Sequence, residues 1–244
     1  MNMPRRVEPE WLDELPPGDP HAMRSRCDLR RINTLMTNAA IVARDLVGSR
    51  RDDPPRAIAE IGAGDGAFML RLAARVATRW RNVRVVLLDR HDVVGRETLD
   101  DFIYLGWTAE SATADVFEWL ARPAELVFDV MIANLFLHHF DASRLRTLFA
   151  LAAQRTRMFV ACEPRRSGLA LIGSRLLGVA GCNAVTRHDA VVSVREGFYG
   201  RELSALWPES RVWTMQERPR GLFSHGFVAR RVGDNGFSGE DRET

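Results

Sequence analysis

The sequence contains no lysine: all 34 of its basic residues are arginine. That excludes chemistry built on a lysine amine, from Schiff bases and pyridoxal phosphate attachment to the P-loop lysine. A charge bias is also missing. The 34 basic residues face 32 acidic ones, a net charge of +2 that gives no electrostatic reason to expect nucleic acid. Cysteine is scarce, and Cys27, Cys162 and Cys182 form no CxxC pair and cannot all pair with one another. This excludes a disulfide framework and fits a reducing compartment. No apolar run is long enough to cross a bilayer, and the most lipophilic stretch, Leu169 to Val185, carries Arg175. Met1 to Pro17 lacks the apolar core of a signal peptide, so a cytoplasmic protein without stable membrane insertion is expected.

What is present is enough for a core: 244 residues, 46% of them hydrophobic, suit one domain with a small appendage. Residues 1–21 are rich in Pro and charge and are expected as a flexible arm. From Ala22 to Val47 apolar residues fall at helical spacing and stop at Gly48, giving an N-terminal helical cap over 22–50. A polar linker with two Pro then precedes a main domain over 55–231. Within it, apolar runs at Ala57–Ile61, Val83–Leu88, Phe128–Leu135 and Met158–Cys162 alternate with amphipathic stretches, and a weaker strand leads to Asp115. Such strand–helix repeats predict a doubly wound, mostly parallel α/β sheet of Rossmann-like type. Arg211–Glu217 and Leu222–Arg230 are separated by four residues, which forces a terminal antiparallel hairpin. Gly233 to Thr244 is expected as a disordered tail.

The sharpest motif is Glu60-Ile61-Gly62-Ala63-Gly64-Asp65-Gly66, directly after the first strand and opening a helix. Glycines there permit a tight turn and close approach of a ligand to the backbone. Gly62, Gly64 and Ala67 also satisfy a dinucleotide fingerprint, and Asp89 lies 22 positions beyond Ala67, where a ribose-binding acid sits. Charge separates the two readings. Glu60 and Asp65 bracket the turn and would oppose a pyrophosphate, whereas they suit a ligand with a cationic end and no phosphate.

On the glycine loop, the strand ending at Asp89, the Ala114-Asp115-Val116 segment, the Asp129–Leu135 strand and the terminal hairpin, the chain resembles the class I methyltransferases dependent on S-adenosylmethionine (SAM), of the small-molecule, quinone or secondary-metabolite type. The resemblance spans about residues 55–231 and is loose outside the loop. It implies SAM as methyl donor and S-adenosylhomocysteine (SAH) as product. Glu60, Gly62, Ala63, Gly64 and Asp65 would carry the methionine end, Asp89 with Arg90 the ribose, Asp115 and Val116 the adenine, and Asn134 the region of the methyl. For Asp115 a plain helix N-cap remains the other reading.

Methyl transfer to a hydroxyl needs alignment, exclusion of water and removal of a proton. His138 and His139, after the fourth strand, are the candidate catalytic residues; adjacent side chains diverge, so one at most is expected to face an acceptor. The other reading is that both bond backbone at the turn. Glu163, Arg165 and His188 are candidate substrate contacts, against a surface ion pair for the first two and a turn or helix cap for His188-Asp189. His225 is expected as a core or edge histidine. No three His, Cys or carboxylates lie at ligand spacing, so no metal is expected. Residues 169–185, apolar nearly all round, are expected as a lid helix which, with Leu35 and Met36, encloses a small hydrophobic or aromatic acceptor. O-methylation of a phenol, quinol or polyketide follows; an RNA or protein methyltransferase and a non-catalytic SAM-binding accessory protein are the alternatives, and a homodimer is compatible with the sequence.

Overall fold

A computed structural model describes residues 3–16, 18–49, 54–123, 128–177 and 181–232. In chain order the elements are α1 (Trp11–Glu14), α2 (Pro20–Leu35), α3 (Asn38–Ser49), β1 (Ala57–Ile61), α4 (Ala67–Val76), β2 (Arg84–Asp89), α5 (Arg96–Tyr104), β3 (Thr108–Thr113) and α6 (Val116–Ala121). They continue with β4 (Val130–Asn134), a 3-10 turn at Leu137–His139, α7 (Ala142–Arg155), β5 (Met158–Pro164), α8 (Gly168–Leu176), α9 (Ala184–Glu196), β6 (Trp213–Arg220) and β7 (Ser224–Arg231).

The seven strands form one sheet in the order β3-β2-β1-β4-β5-β7-β6, with β7 antiparallel to both β5 and β6. The doubly wound sheet with its terminal hairpin is therefore as the sequence predicts. Alternation along the central strands sends side chains to two cores. Ile58, Val130, Ile132 and Val160 join α3, α4 and α5 on one face, while Ala59, Met131, Ala133 and Phe159 join α6 and α7 on the other. The edge strand β6 exposes Arg218 and Pro219, a charge and a proline that discourage pairing with another sheet.

Two helices differ from expectation. The helix expected from Ala22 to Val47 is two: Asp19 caps α2 with Pro20 at its first turn, and the chain breaks where Thr37 adopts φ 56°. The break turns Asn38 inward, where its amide donates to Asn134 Oδ1 (3.0 Å) and accepts from Ser224 Oγ (2.8 Å). A continuous helix would have kept this polar side chain in line with its neighbours. The expected lid helix over 169–185 ends at Leu176, and a new helix begins after Asn183, whose side chain accepts from Thr186 N. Residues 178–180 of that lid, residues 1, 2 and 17 of the arm, 50–53 of the linker and the tail 233–244 lie outside the described residues. Residues 3–16 of the expected arm lie across the ends of β4 and α9, where the Arg5 guanidinium donates to the carbonyls of Glu196, His138 and Phe140. Among the described residues no helix is long and apolar enough to cross a membrane.

Candidate functional site

A cleft of about 430 Å³ opens at the carboxyl ends of β1 and β4, where an open α/β sheet changes direction. At one end lies the glycine loop. Gly62 has φ 71°, and a Cβ there would sit 2.1 Å from the Phe136 ring, so only glycine lets the two strand-end turns touch. Gly66, with φ 76°, starts α4.

Three carboxylates surround this loop. Glu60 is 1% exposed, and its Oε2 has no hydrogen-bond partner among the described residues. Burial first, then the charges of Asp65 and Asp89, push its carboxyl well above the ordinary range. Asp65 accepts from Ala67 N and faces Arg30 Nε at 3.4 Å. Asp89 accepts from Gly64 N (2.8 Å) and His91 N (3.0 Å), which ties the loop to β2 while leaving lone pairs for hydroxyl donors. All three line the cleft, together with Ala63 and Asn134.

The second polar group comes from the β4 turn. Leu135 takes φ 51°, and the next residues wrap around Glu163 of β5. Glu163 Oε1 accepts from Phe136 N (3.1 Å) and Leu137 N (3.0 Å), while Oε2 accepts from His138 N (3.4 Å) and lies 2.8 Å from His138 Nδ1. His139 Nδ1 lies 2.9 Å from the Phe136 carbonyl. Contrary to the expectation of divergence, the two imidazoles lie side by side, centroids 4.2 Å apart, because each Nδ1 is drawn to an acceptor behind it. Both Nε2 atoms then face Glu10 of the N-terminal segment, at 3.5 Å for His138 and 3.4 Å for His139. Burial works against the charged form of His138, but its contacts with Glu10 and Glu163 outweigh it and raise the imidazole to about 10. Burial likewise works against ionised Glu10, yet the two histidines hold its carboxyl far below the usual range. Ser193 Oγ of α9 donates to Glu10 Oε1.

The structure thus brings together three side chains of the kinds that can ligate a metal, where the sequence suggested no such group. Glu10 escaped notice because it stands alone between Pro9 and Trp11 in a segment without periodicity, and no spacing rule connects it to His138. Asp189, read with His188 as a turn or helix cap, caps a helix far from it in sequence. It sits within α9 and accepts from Trp11 N and Leu12 N, so it caps α1 of the distant N-terminal segment.

The remaining expected residues fall outside the cleft lining. Asp115 caps α6 by accepting from Phe117 N (2.8 Å) and Glu118 N (3.3 Å), the alternative its position allowed, with Val116 buried behind it. Arg90 Nε donates to His91 Nε2 (3.1 Å). Glu163 is wholly buried beneath the β4 turn, and Arg165 binds the hairpin through the carbonyls of Phe223 and Gly221. His188 stacks on Trp11 with centroids 3.9 Å apart and meets Asp189 at 2.9 Å. His225 pairs with Glu217 in the core (2.8 Å). Walls of the cleft come from Leu29, Ile32 and Met36, from Val194 of α9, and from Leu177 and Phe223. The side chain of Leu35 lies outside the described residues. α8 lines the cleft with Ala170 and Gly173 while Leu169, Ile172 and Leu176 face outward.

No family model matches the chain, and no curated protein matches it in sequence. Solved structures do share its architecture. The plantazolicin methyltransferase BpumL, in complex with SAH and a triazolic analogue, matches with a TM-score of 0.62 at 12% identity, over 87% of this chain and 92% of its own. An O-methyltransferase family protein from Burkholderia thailandensis matches with a TM-score of 0.58 at 16% identity, and a candidate O-methyltransferase from Nostoc punctiforme with 0.57 at 14%. Both matches cover 88% of this chain, which spans 60% of the former protein and 62% of the latter. The chain has the fold of the class I SAM-dependent methyltransferases.

Proposed function

We propose that the protein is a SAM-dependent methyltransferase acting on the hydroxyl of a small hydrophobic or aromatic acceptor. The observation that carries this reading is Glu60, a buried carboxylate at the end of β1 with one oxygen unpartnered in a cleft. Such a group is costly unless a ligand completes it. A ligand bearing an ammonium restores its ionised form, whereas a pyrophosphate would add charge of the same sign beside Asp65 and Asp89. When bound, SAM supplies a methyl group on a sulfonium, already activated for displacement.

The chain's own residues then have distinct tasks. Glu60 holds the ammonium, Asp89 accepts from the ribose hydroxyls, and Gly62 to Gly64 offer backbone at close range. The apolar walls from α2, α8 and α9 strip water from the acceptor and align it. Its hydroxyl is directed to the Glu10–His138–His139 cluster, where His139 takes the proton beside the Glu10–His138 ion pair, so the expected catalytic pair becomes a triad with Glu10 as its third member. Glu60 and Asp89 would hold the donor as its methyl passes to the acceptor oxygen, the carbon–sulfur electron pair would return to sulfur, and SAH would be the product. The solved methyltransferases of this fold that were crystallised with SAH support the choice of cofactor.

Calorimetric titration with SAH, beside NADH as control, tests the reading. Micromolar binding of SAH alone is expected; tight NADH binding without SAH overturns it.

A further inference from the structure

We propose that Glu10, His138 and His139 form a binding site for a divalent first-row transition ion of the zinc type, with its open position toward the cleft. Their ligating atoms all lie within 4.8 Å of one another, and all three residues line the cleft. The argument rests on which atom of each group is already committed. A carbonyl oxygen only accepts, so His139 Nδ1, 2.9 Å from Phe136 O, carries the hydrogen and its Nε2 presents a lone pair. His138 Nδ1 is held the same way by the Glu163 carboxylate at 2.8 Å, and Glu163 is itself fixed by three backbone N–H groups. In the neutral rings both lone pairs therefore converge on the oxygens of Glu10, which also only accept. Such an array is completed by a cation, either a second proton on an imidazole, as on His138 in the metal-free protein, or a metal ion that displaces it.

The distances leave room for a metal ion. A charge-assisted N–H···O bond spans about 2.7–2.9 Å. Here Nε2 and carboxylate oxygen lie 3.5 and 3.4 Å apart. Ligands held at about 2.0–2.1 Å in tetrahedral array are separated by roughly 3.3 Å, which is nearer the observed spacing. Each candidate ligand also has the support that metal ligands characteristically have: Glu163 behind His138, the Phe136 carbonyl behind His139, and the Ser193 hydroxyl on Glu10. Two histidines and one carboxylate with a vacant fourth position is a donor set of the catalytic zinc kind, and it also suits iron(II).

The role of the ion rests on the methyl-transfer reading; the site itself does not. In the metal-loaded protein the lone pair of His139 is spent on the ion and no longer takes the proton; an acceptor hydroxyl at the open position would instead lose its proton to solvent and attack as the metal-stabilised oxyanion, the methyl passing from sulfur to oxygen as before.

The full chain, freed of metal with a chelator, is titrated with zinc(II), and cobalt(II) is added as a spectroscopic probe. About one zinc per chain and the visible bands of four-coordinate cobalt are expected. Glu10→Gln and His139→Asn should each weaken zinc binding at least 100-fold, and Glu163→Gln by roughly 10- to 100-fold, as loss of an outer partner does. Because His139 is partly exposed, its variant keeps the test sound if Glu10→Gln fails to fold, which thermal unfolding monitors. Absence of zinc binding by the wild type, or binding that neither Glu10→Gln nor His139→Asn weakens, overturns the site. SAH titration runs in parallel, so loss of zinc binding with SAH retained removes the metal alone, and the converse removes the methyl-transfer reading alone.

Discussion

Two glutamates stand at the ends of the two strands that flank β4 and are treated in opposite ways. Glu163 on β5 is wholly buried and accepts from three backbone N–H groups and meets one imidazole. Glu60 on β1 is equally buried, and its Oε2 meets no partner among the described residues. Burial of a carboxylate is tolerable when donors surround it, so Glu163 is a structural element that holds the β4 turn. Glu60 is left incomplete by its own chain and is completed only by something that arrives. Satisfaction of hydrogen bonds, more than depth or chemistry, separates the scaffold residue from the one proposed to hold a ligand.

The contrast can be broken from either side. The largest effect is expected for Glu163→Ala, which strands several buried donors. Stability should fall by about 3–5 kcal/mol, and Tm by roughly 6–20 °C in thermal unfolding. Glu60→Gln should do the reverse, leaving Tm unchanged or slightly raised while weakening SAH by about 1.5–3 kcal/mol, the worth of a hydrogen bond to a charged group; calorimetry reads both. A loss of stability in Glu60→Gln comparable to that of Glu163→Ala would abolish the distinction.

Acidity sharpens it further. Glu60 has its carboxyl raised by burial and by Asp65 and Asp89, with Arg30 near Asp65 as the opposing charge. In the free protein it holds a proton over part of the accessible range, and binding an ammonium expels that proton. SAH affinity should therefore climb as pH rises toward the free-protein value of Glu60, by at most about tenfold per pH unit, and Glu60→Gln should flatten the slope. The same raised value means that Glu60 favours folding at low pH, a contribution lost as pH rises. The smallest effect is expected at Asp115: Asp115→Ala removes an N-cap worth about 1 kcal/mol, seen in denaturant unfolding, while SAH affinity falls less than in Glu60→Gln.

Legibility in the sequence followed the range of the interactions. The glycine loop, Asp89 and the strand ends lie within local patterns of period and spacing, and the alternating runs with their short terminal connection were enough to expect the sheet and its hairpin. His138 and His139 were visible as a pair after a strand. Their convergence was not, because it depends on Glu163 and the Phe136 carbonyl drawing each Nδ1 backward. Glu10 had no signal at all, for its histidine partners lie 128 and 129 positions further along the chain. The break at Thr37 was hidden since the apolar period runs through it, and only the burial of Asn38 against β4 and β7 explains it.

That asparagine has a consequence for how the protein is made. Its amide joins Asn134 and Ser224, residues 96 and 186 positions further along the chain. During synthesis from the N-terminus, α3 emerges long before either partner, and its first turn waits with a polar group unmatched until the last hairpin is delivered. The cleft is thus assembled by its final segment, and a nascent chain that stops short of β7 is a protein without a finished active face.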